Sequence, residues 1–259
     1  MTRSRANVVS SFTIIKGSMI EETYAVMREW DPARSVEENL AEMKRTNSVG
    51  ARSANWLRDV AKVAHRRFDP NGRDRSLVAL AKAGCAMDVW KPIQLWHMTR
   101  DEFLVRDFLL NWLYPRFMDG AVRLVAEDVH EYLGGLHKKG LVEEPWGEST
   151  LRRVASGLLR IGTDFGLLRG TLARQFQSYH LPERSFLYVL HAMWETQPNA
   201  AELVGSHDWR MYLMSPDVVE RELFRLHQFR RIGYEVAGSL GQLTLPYASA
   251  LDYVKEMSG

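Results

Sequence analysis

Apolar residues recur at the spacing of an α-helix along most of the chain, and the clearest example lies between residues 149 and 165. One face of this segment carries the apolar residues Leu151, Val154, Leu158, Ile161 and Phe165. The opposite face carries the polar and basic residues Ser149, Arg152, Arg153, Ser156 and Arg160. This pattern predicts a helix over about residues 149–163 that packs through one face and presents arginines on the other.

In two places a predicted helix is followed by short alternating segments that are typical of a β-hairpin. After the 149–163 helix, two short strands are predicted on either side of a turn at about residues 170–173. A second helix begins at Ser215-Pro216, and two strands follow it around a glycine-containing turn at residues 238–241. The predicted helix-hairpin units therefore span about residues 149–180 and 215–246.

The remaining pattern is helical. Further helices are predicted over about residues 18–29, 35–47, 51–68, 73–88, 92–98, 99–113, 121–136, 182–195 and 248–257. Ser35 followed by Glu38 is a capping-box pattern, and Asp69-Pro70-Asn71-Gly72 is a strong turn. We predict a mainly α protein with a helical N-terminal domain (residues 1–117) and a winged-helix-like C-terminal part with two short β-hairpins (residues 118–259).

Composition restricts the kind of protein and the kind of partner. The chain has 259 residues, of which 46% are hydrophobic and 25% charged, as in ordinary globular proteins. The formal net charge is only +2, so any affinity for nucleic acid must come from local patches. Such a patch is predicted between residues 149 and 179, where the only acid is Asp164 and the bases are Arg152, Arg153, Arg160, Arg169 and Arg174.

A second basic stripe is predicted on the 51–68 helix. Arg58, Lys62 and Arg66 recur at i, i+4 and i+8, which places them on one face. Such a stripe could contact phosphates, although a solvated helix face is the commoner origin of this pattern. The same ordinary alternative applies to the arginines of the 149–163 helix.

Cys85 is the only cysteine, which excludes a disulfide within the chain and a cysteine-based zinc site. We predict that it lies in a buried helix as a small core residue, and that the protein works in a reducing compartment. No secretory signal and no run of about 20 apolar residues is visible. The predicted location is the cytoplasm, without a membrane span.

Sequence motifs of catalysis and cofactor binding are missing. The chain has no Gly-x-x-x-x-Gly-Lys loop and no His-Glu-x-x-His pattern, and its eight histidines are scattered. Glu127-x-x-His130 resembles half of a carboxylate-bridged metal site, but no second copy accompanies it. We therefore predict a protein that is not an enzyme and has no metal or other cofactor.

Three segments carry a resemblance to a known family. The run from Phe12 to Thr23, the helix near residues 55–67 and the segment from Thr150 to Leu168 resemble BrxA proteins of BREX phage-defence systems. The resemblance spans nearly the whole chain and implies a small, mostly helical, non-enzymatic protein that binds DNA. It also implies that the protein contributes to phage resistance beside the methyltransferase and ATPase of its system. It identifies no DNA-contacting residue.

The contact residues that we predict for double-stranded DNA come from the helical wheels and the hairpin. They are Ser149, Thr150, Arg152, Arg153, Ser156, Arg160, Arg169, Arg174, Arg58, Lys62 and Arg66. The alternative is a protein scaffold of the defence complex, for which Trp146 and Trp209 are candidate exposed contacts. A third hypothesis, a stand-alone transcription regulator, normally requires a dimer, whereas the chain has no heptad run and a monomer is predicted.

Overall fold

A computed structural model describes residues 9–142, 144–238 and 240–257. The α-helices are α1 (Ser11–Lys16), α2 (Ile20–Glu29), α3 (Val36–Thr46), α4 (Ala54–Arg67), α5 (Arg75–Lys82), α6 (Met87–Met98), α7 (Phe103–Asp107), α8 (Tyr114–Met118), α9 (His130–Lys138), α10 (Glu148–Asp164), α11 (Glu183–Trp194), α12 (Ala200–Val204), α13 (Pro216–Gln228) and α14 (Ala250–Met257). A π-helical segment (Phe108–Leu113) joins α7 to α8, and 3-10 helices lie at Ala126–Val129 and His207–Tyr212. The strands are β1 (Leu168–Gly170), β2 (Arg174–Phe176), β3 (Gly233–Ala237) and β4 (Leu240–Thr244).

The predicted mainly α fold with two short hairpins is confirmed. The predicted capping box also forms, because the amide of Glu38 donates to Ser35 Oγ and the amide of Ser35 donates to Glu38 Oε2. The described helices contain no segment with both the length and the apolarity that a bilayer crossing requires.

The N-terminal helix α1 packs directly on α10. A Cβ atom on Gly157 would lie only 2.9 Å from the backbone oxygen of Ile14, so this approach needs a residue without a side chain. At the end of the same contact, Ser18 donates a hydrogen bond to Asp164 at 2.5 Å. Helix α1 and the residues just after it therefore form part of the support beneath α10.

A buried ion pair holds α1 and the residues that follow it. The guanidinium of Arg67 lies 3.0 Å from Glu102 and also donates to the backbone oxygens of Thr13 and Ser18. Thr13 Oγ1 donates in turn to the second oxygen of Glu102 at 3.1 Å. Arg67 is 0% and Glu102 is 2% exposed. Both charges have lost their hydration, and these contacts compensate for that loss.

A second buried network joins α5, α6 and α11. His97 Nδ1 lies 2.6 Å from the carboxylate of Asp74, and its Nε2 lies 2.7 Å from the hydroxyl of Tyr188. Tyr188 is also hydrogen-bonded to Ser76 at 2.7 Å. These contacts connect the predicted N-terminal half to α11. The hydrophobic core is continuous across residue 117, and the division into residues 1–117 and 118–259 stays a prediction.

Both hairpins are antiparallel. Arg169 pairs with Gln175 in β1–β2, and Glu235 pairs with Gln242 in β3–β4. Outside these strands, Leu124 forms an antiparallel bridge with Arg174 through two backbone hydrogen bonds of 2.8 Å. Strand β2 therefore has a partner on each of its two edges.

The segment around Cys85 differs from its predicted structure. The predicted helix over residues 73–88 is wrong, since α5 ends at Lys82 and Gly84 adopts a φ of +72°. Cys85 lies in the link between α5 and α6 and is half-buried. Burial raises the pKa of its thiol to about 11, with a smaller contribution from Asp88, so the thiol is protonated at neutral pH.

Several other boundaries also differ. The predicted helix over residues 121–136 begins only at residue 126, because Leu124 is taken up by the bridge to Arg174. The second predicted turn is too long, since Leu240 and Gly241 belong to β4 and Ser239 lies outside the described residues. The sequence pattern also missed α1, α12 and the 3-10 helix at His207–Tyr212, all of which are short.

Trp209 is 1% exposed and stacks on Phe186, so it is not the exposed contact of the scaffold alternative.

Candidate nucleic-acid interface

The back of helix α10 is buried from Val154 onwards, and its front is basic and exposed. Val154, Leu158 and Ile161 are each 0% exposed. Ser149, Arg152, Arg153 and Arg160 are exposed, while Thr150 and Ser156 are half-buried. The wheel therefore separates the two faces of this helix as the sequence predicted.

Two of the arginines on this face have acidic neighbours on the same helix. Arg152 lies 2.8 Å from Glu148, and both side chains are well exposed. Arg160 lies 3.8 Å from Asp164, which also accepts the hydrogen bond from Ser18. Exposed pairs one helical turn apart are weak, so a phosphate can compete for either guanidinium. Arg153 has no ion pair within the described part of the chain.

The start of α10 lies one residue earlier than predicted. Gly147 is the N-cap and Glu148 is the first helical residue, so Ser149 and Thr150 lie inside the first turn. The amides of this turn suit an anion, but the carboxylate of Glu148 shares the same end of the helix. Glu148 is therefore the group that a phosphate at this helix end would have to displace.

The first hairpin presents one of its two predicted arginines. Arg169 is exposed and shares a 3.4 Å hydrogen bond with Gln175 across the hairpin. Arg174 is 8% exposed, because the segment containing Leu124 covers its strand and its Nε faces Thr163 Oγ1 at 3.3 Å. Burial lowers the pKa of Arg174, which the charge of Asp164 partly offsets. The prediction that Arg174 is displayed on the hairpin surface is wrong.

The α4 stripe is only partly available. Arg58 is exposed and hydrogen-bonded to Asn55, and the Nζ of Lys62 lies 4.3 Å above the ring of Phe12 in α1. Arg66 is half-buried, with its Nε 3.9 Å from the buried carboxylate of Glu102. Arg66 is therefore the least available of the three cations, and its contact with DNA stays a prediction.

Helix α1 connects the two basic regions. Lys16 of α1 forms an ion pair with Asp59 of α4 at 2.5 Å, and Gly17 lies beside the guanidinium of Arg160 in α10. Lys16 and Arg160 line the same groove of about 530 Å³, which Lys91 also borders. Three acids, Glu21, Glu22 and Asp164, line this groove as well. The regions thus approach each other along α1, across a surface of mixed charge.

Sequence reasoning missed Lys16 and Lys91 as part of this surface. Each is a single lysine outside a helical stripe, so only tertiary packing places Lys16 of α1 and Lys91 of α6 at the same groove as Arg160. Glu127 and His130 belong to no metal-binding cluster, since the described residues contain no group of three or more potential metal ligands.

Residues 11–191 match the sequence model of the family described as BrxA. This range covers more than half of the chain and contains α4, α10 and the first hairpin. The chain belongs to the BrxA family. A comparison with curated proteins gives no match. Membership in the BrxA family makes the protein a component of a BREX phage-defence system. The match ends inside α11, before α13 and the second hairpin.

Proposed function

We propose that the protein binds double-stranded DNA through the exposed face of α10 and the hairpin that follows it. The observation that carries the proposal is that the back of α10 is buried from Val154 onwards while its front exposes Arg152, Arg153 and Arg160. Arginine supplies several fixed donors for phosphate oxygens, and a buried back keeps those donors in a defined place. Arg169 adds a cation on the adjacent hairpin.

The order of the elements supports a winged-helix interpretation. Helix α8 is followed by the bridging residue Leu124, then by α9, by α10 and by the hairpin β1–β2, with β2 bonded to both β1 and Leu124. In helix-turn-helix proteins the second helix of the pair enters the major groove, and its N-terminal residues contact the bases. In this interpretation α10 would be the second helix of the pair, with Arg152 and Arg153 near its N-terminal end, and the hairpin would be the wing.

The salt dependence of duplex binding tests the proposal. Six predicted cations remain exposed: Arg58, Lys62, Arg152, Arg153, Arg160 and Arg169. If all six neutralise phosphates, the logarithm of affinity should fall with the logarithm of salt concentration with a slope of roughly −5. Retention of the protein on blunt duplex DNA at several salt concentrations measures this slope. Absent binding at low salt, or an affinity that does not change with salt, would contradict the proposal.

Substitutions of the two arginines in the first hairpin should distinguish a residue that contacts DNA from one that packs inside the protein. Arg169→Ala should reduce the steepness of the salt dependence by about 1, because an exposed phosphate contact is lost. Arg174→Met should leave the slope unchanged and lower the unfolding midpoint instead, because Arg174 is buried against Thr163. The same retention assay, combined with thermal unfolding, measures both variants. An equal loss of slope in both would show that Arg174 also reaches the DNA.

The remaining parts of the proposal follow from the family and from the sequence. We propose a cytoplasmic monomer without catalytic activity of its own that acts beside the methyltransferase and ATPase of its BREX system. The missing catalytic motifs support the lack of catalytic activity, and family membership supports the action beside other BREX components. The alternative, a scaffold without a DNA role, gains some support from Phe229 and Val236 of the second unit, which are 65% and 42% exposed.

A further inference from the structure

A cavity of about 330 Å³ lies at the base of the second hairpin, and its lining includes no residue of α10. Helices α11 and α14 form its walls, and the chain segments just before β3 and just after β4 close it. This volume is at the lower end of the range for small-molecule sites.

The floor of the cavity is aromatic. The rings of His191 and Tyr253 stack at 5.0 Å with an angle of 11°, and Tyr247 lies 5.9 Å from each of them. His191 and Tyr253 are buried, whereas Tyr247 is half-buried. The ring of Tyr247 is therefore the one that is open for stacking with a ligand.

His191 leaves one hydrogen-bonding atom without a partner. Its Nδ1 lies 2.7 Å from the backbone oxygen of Leu187, so Nδ1 carries the proton and Nε2 is an acceptor. The residue is only 1% exposed, and its Nε2 is buried and forms no hydrogen bond within the described part of the chain. Burial lowers the pKa of His191, which keeps the imidazole neutral at physiological pH. An N–H donor of a ligand would complete this group.

Arginines surround the cavity. Arg184 and Arg230 are exposed, and Arg231 lies 3.4 Å from Glu183, which also binds Arg225 at 2.9 Å. Glu183 is therefore already paired with two guanidinium groups. Glu256 is the other acid that lines the cavity, and its carboxylate is a second acceptor for N–H donors.

The backbone of Arg230 is unusual for an arginine. Its φ of +55° lies in the left-handed region, at the end of α13, where the amide of Arg231 donates to the oxygen of Leu226. Glycine is the usual residue at this position of a helix end, because it adopts the conformation without strain. An arginine in a conformation that favours glycine points to a role for its side chain.

We propose that this cavity binds a nucleotide, with the base stacked on Tyr247 and the phosphate held by Arg184 and Arg230. The two acceptors, His191 Nε2 and the Glu256 carboxylate, suit the N–H donors of a base and give a plain phenyl ring nothing to bind. The same chemistry is present in a free mononucleotide and in an unpaired nucleotide at the 5′ end of a DNA strand. The inference is independent of duplex binding by α10.

Calorimetric titration of the full chain with dAMP, deoxyadenosine, inorganic phosphate and phenyl phosphate tests the site. We expect saturable binding of dAMP, with each of the other three at least about 10-fold weaker, since each offers only part of the contacts. A duplex with one unpaired, 5′-phosphorylated nucleotide is compared with the blunt duplex to identify a DNA end as the source. The proposal is supported if dAMP binds more tightly than deoxyadenosine, phosphate and phenyl phosphate, or if the duplex with the unpaired end binds more tightly than the blunt duplex. Failure of both, or phenyl phosphate binding as tightly as dAMP, overturns it.

Arg230→Gly is the decisive variant because it removes the guanidinium and relieves the backbone. We expect at least a 10-fold loss of nucleotide affinity together with an unchanged or higher unfolding midpoint. Lys82→Ala, which removes an exposed cation from α5, should bind as the original protein does. Full affinity in Arg230→Gly would overturn the proposal. A protein that binds dAMP but not blunt duplex would keep this inference and lose the proposed function.

Discussion

Glu102→Ala should lower the free energy of unfolding by about 3–5 kcal/mol, one of the largest effects of any single substitution in this protein. The change leaves the Arg67 guanidinium, which is 0% exposed, without its counter-charge. Burial already lowers the pKa of Arg67, and only the charge and hydrogen bond of Glu102 oppose that effect. The hydrogen bond from Thr13 to Glu102 is lost as well. Urea denaturation of the original protein and the variant measures the difference.

Glu42→Ala is the matched control for this substitution. Glu42 also pairs with an arginine, Arg45, at 2.6 Å, but that pair lies in solvent, where water replaces the lost partner. The unfolding midpoint of Glu42→Ala should therefore stay close to that of the original protein. If Glu102→Ala were as stable as this control, the Arg67–Glu102 pair would contribute little and another contact would hold α1.

Reversing both charges at Arg152 and Arg153 should weaken duplex binding on the order of 100-fold at low salt. Two phosphate contacts are lost, and two carboxylates are placed next to the DNA backbone. The steepness of the salt dependence should fall by about 2, because two fewer counterions are released. Of the single reversals, Arg153→Glu should have the larger effect, since Arg152 is partly occupied by Glu148. Retention on duplex DNA over a range of salt concentrations measures all three variants.

A double reversal at Lys82 and Lys255 is the control for net charge. Both lysines are exposed, on α5 and α14, helices that pack against each other. This variant changes the net charge by the same amount and should lose much less affinity. Equal losses in the two double variants would mean that DNA responds to overall charge and not to the face of α10. Both variants keep their buried residues, so their unfolding midpoints should match that of the original protein.

Long amphipathic segments were the part of the fold that the sequence could predict. The faces of α10 follow directly from its pattern, and the capping box of α3 needs only Ser35 and Glu38. Short elements were not predictable in the same way. Helix α1 has six residues, too few for a periodic pattern, and it owes its position to contacts with Gly157 and Arg67.

The burial of charged groups was the part of the site that the sequence did not reveal. Arg66 and Arg174 carry the same guanidinium as Arg153, and local spacing places all three on polar faces. Arg66 forms an ion pair with Glu102, 36 positions away, and Arg174 is covered by Leu124, 50 positions away. Such distant partners are fixed by tertiary packing, on which a helical wheel carries no information.

The close fit of Ile14 against Gly157 affects how deletion experiments on this protein should be interpreted. A shortened chain that starts after Gly17 would lack both Ile14 and the Thr13 oxygen that binds Arg67. The part of α10 around Gly157 would then face water, and the helix would lose the packing that α1 provides. A failure of that truncated protein to bind DNA would reflect damage to α10 from behind, and would not locate the binding site among the deleted residues.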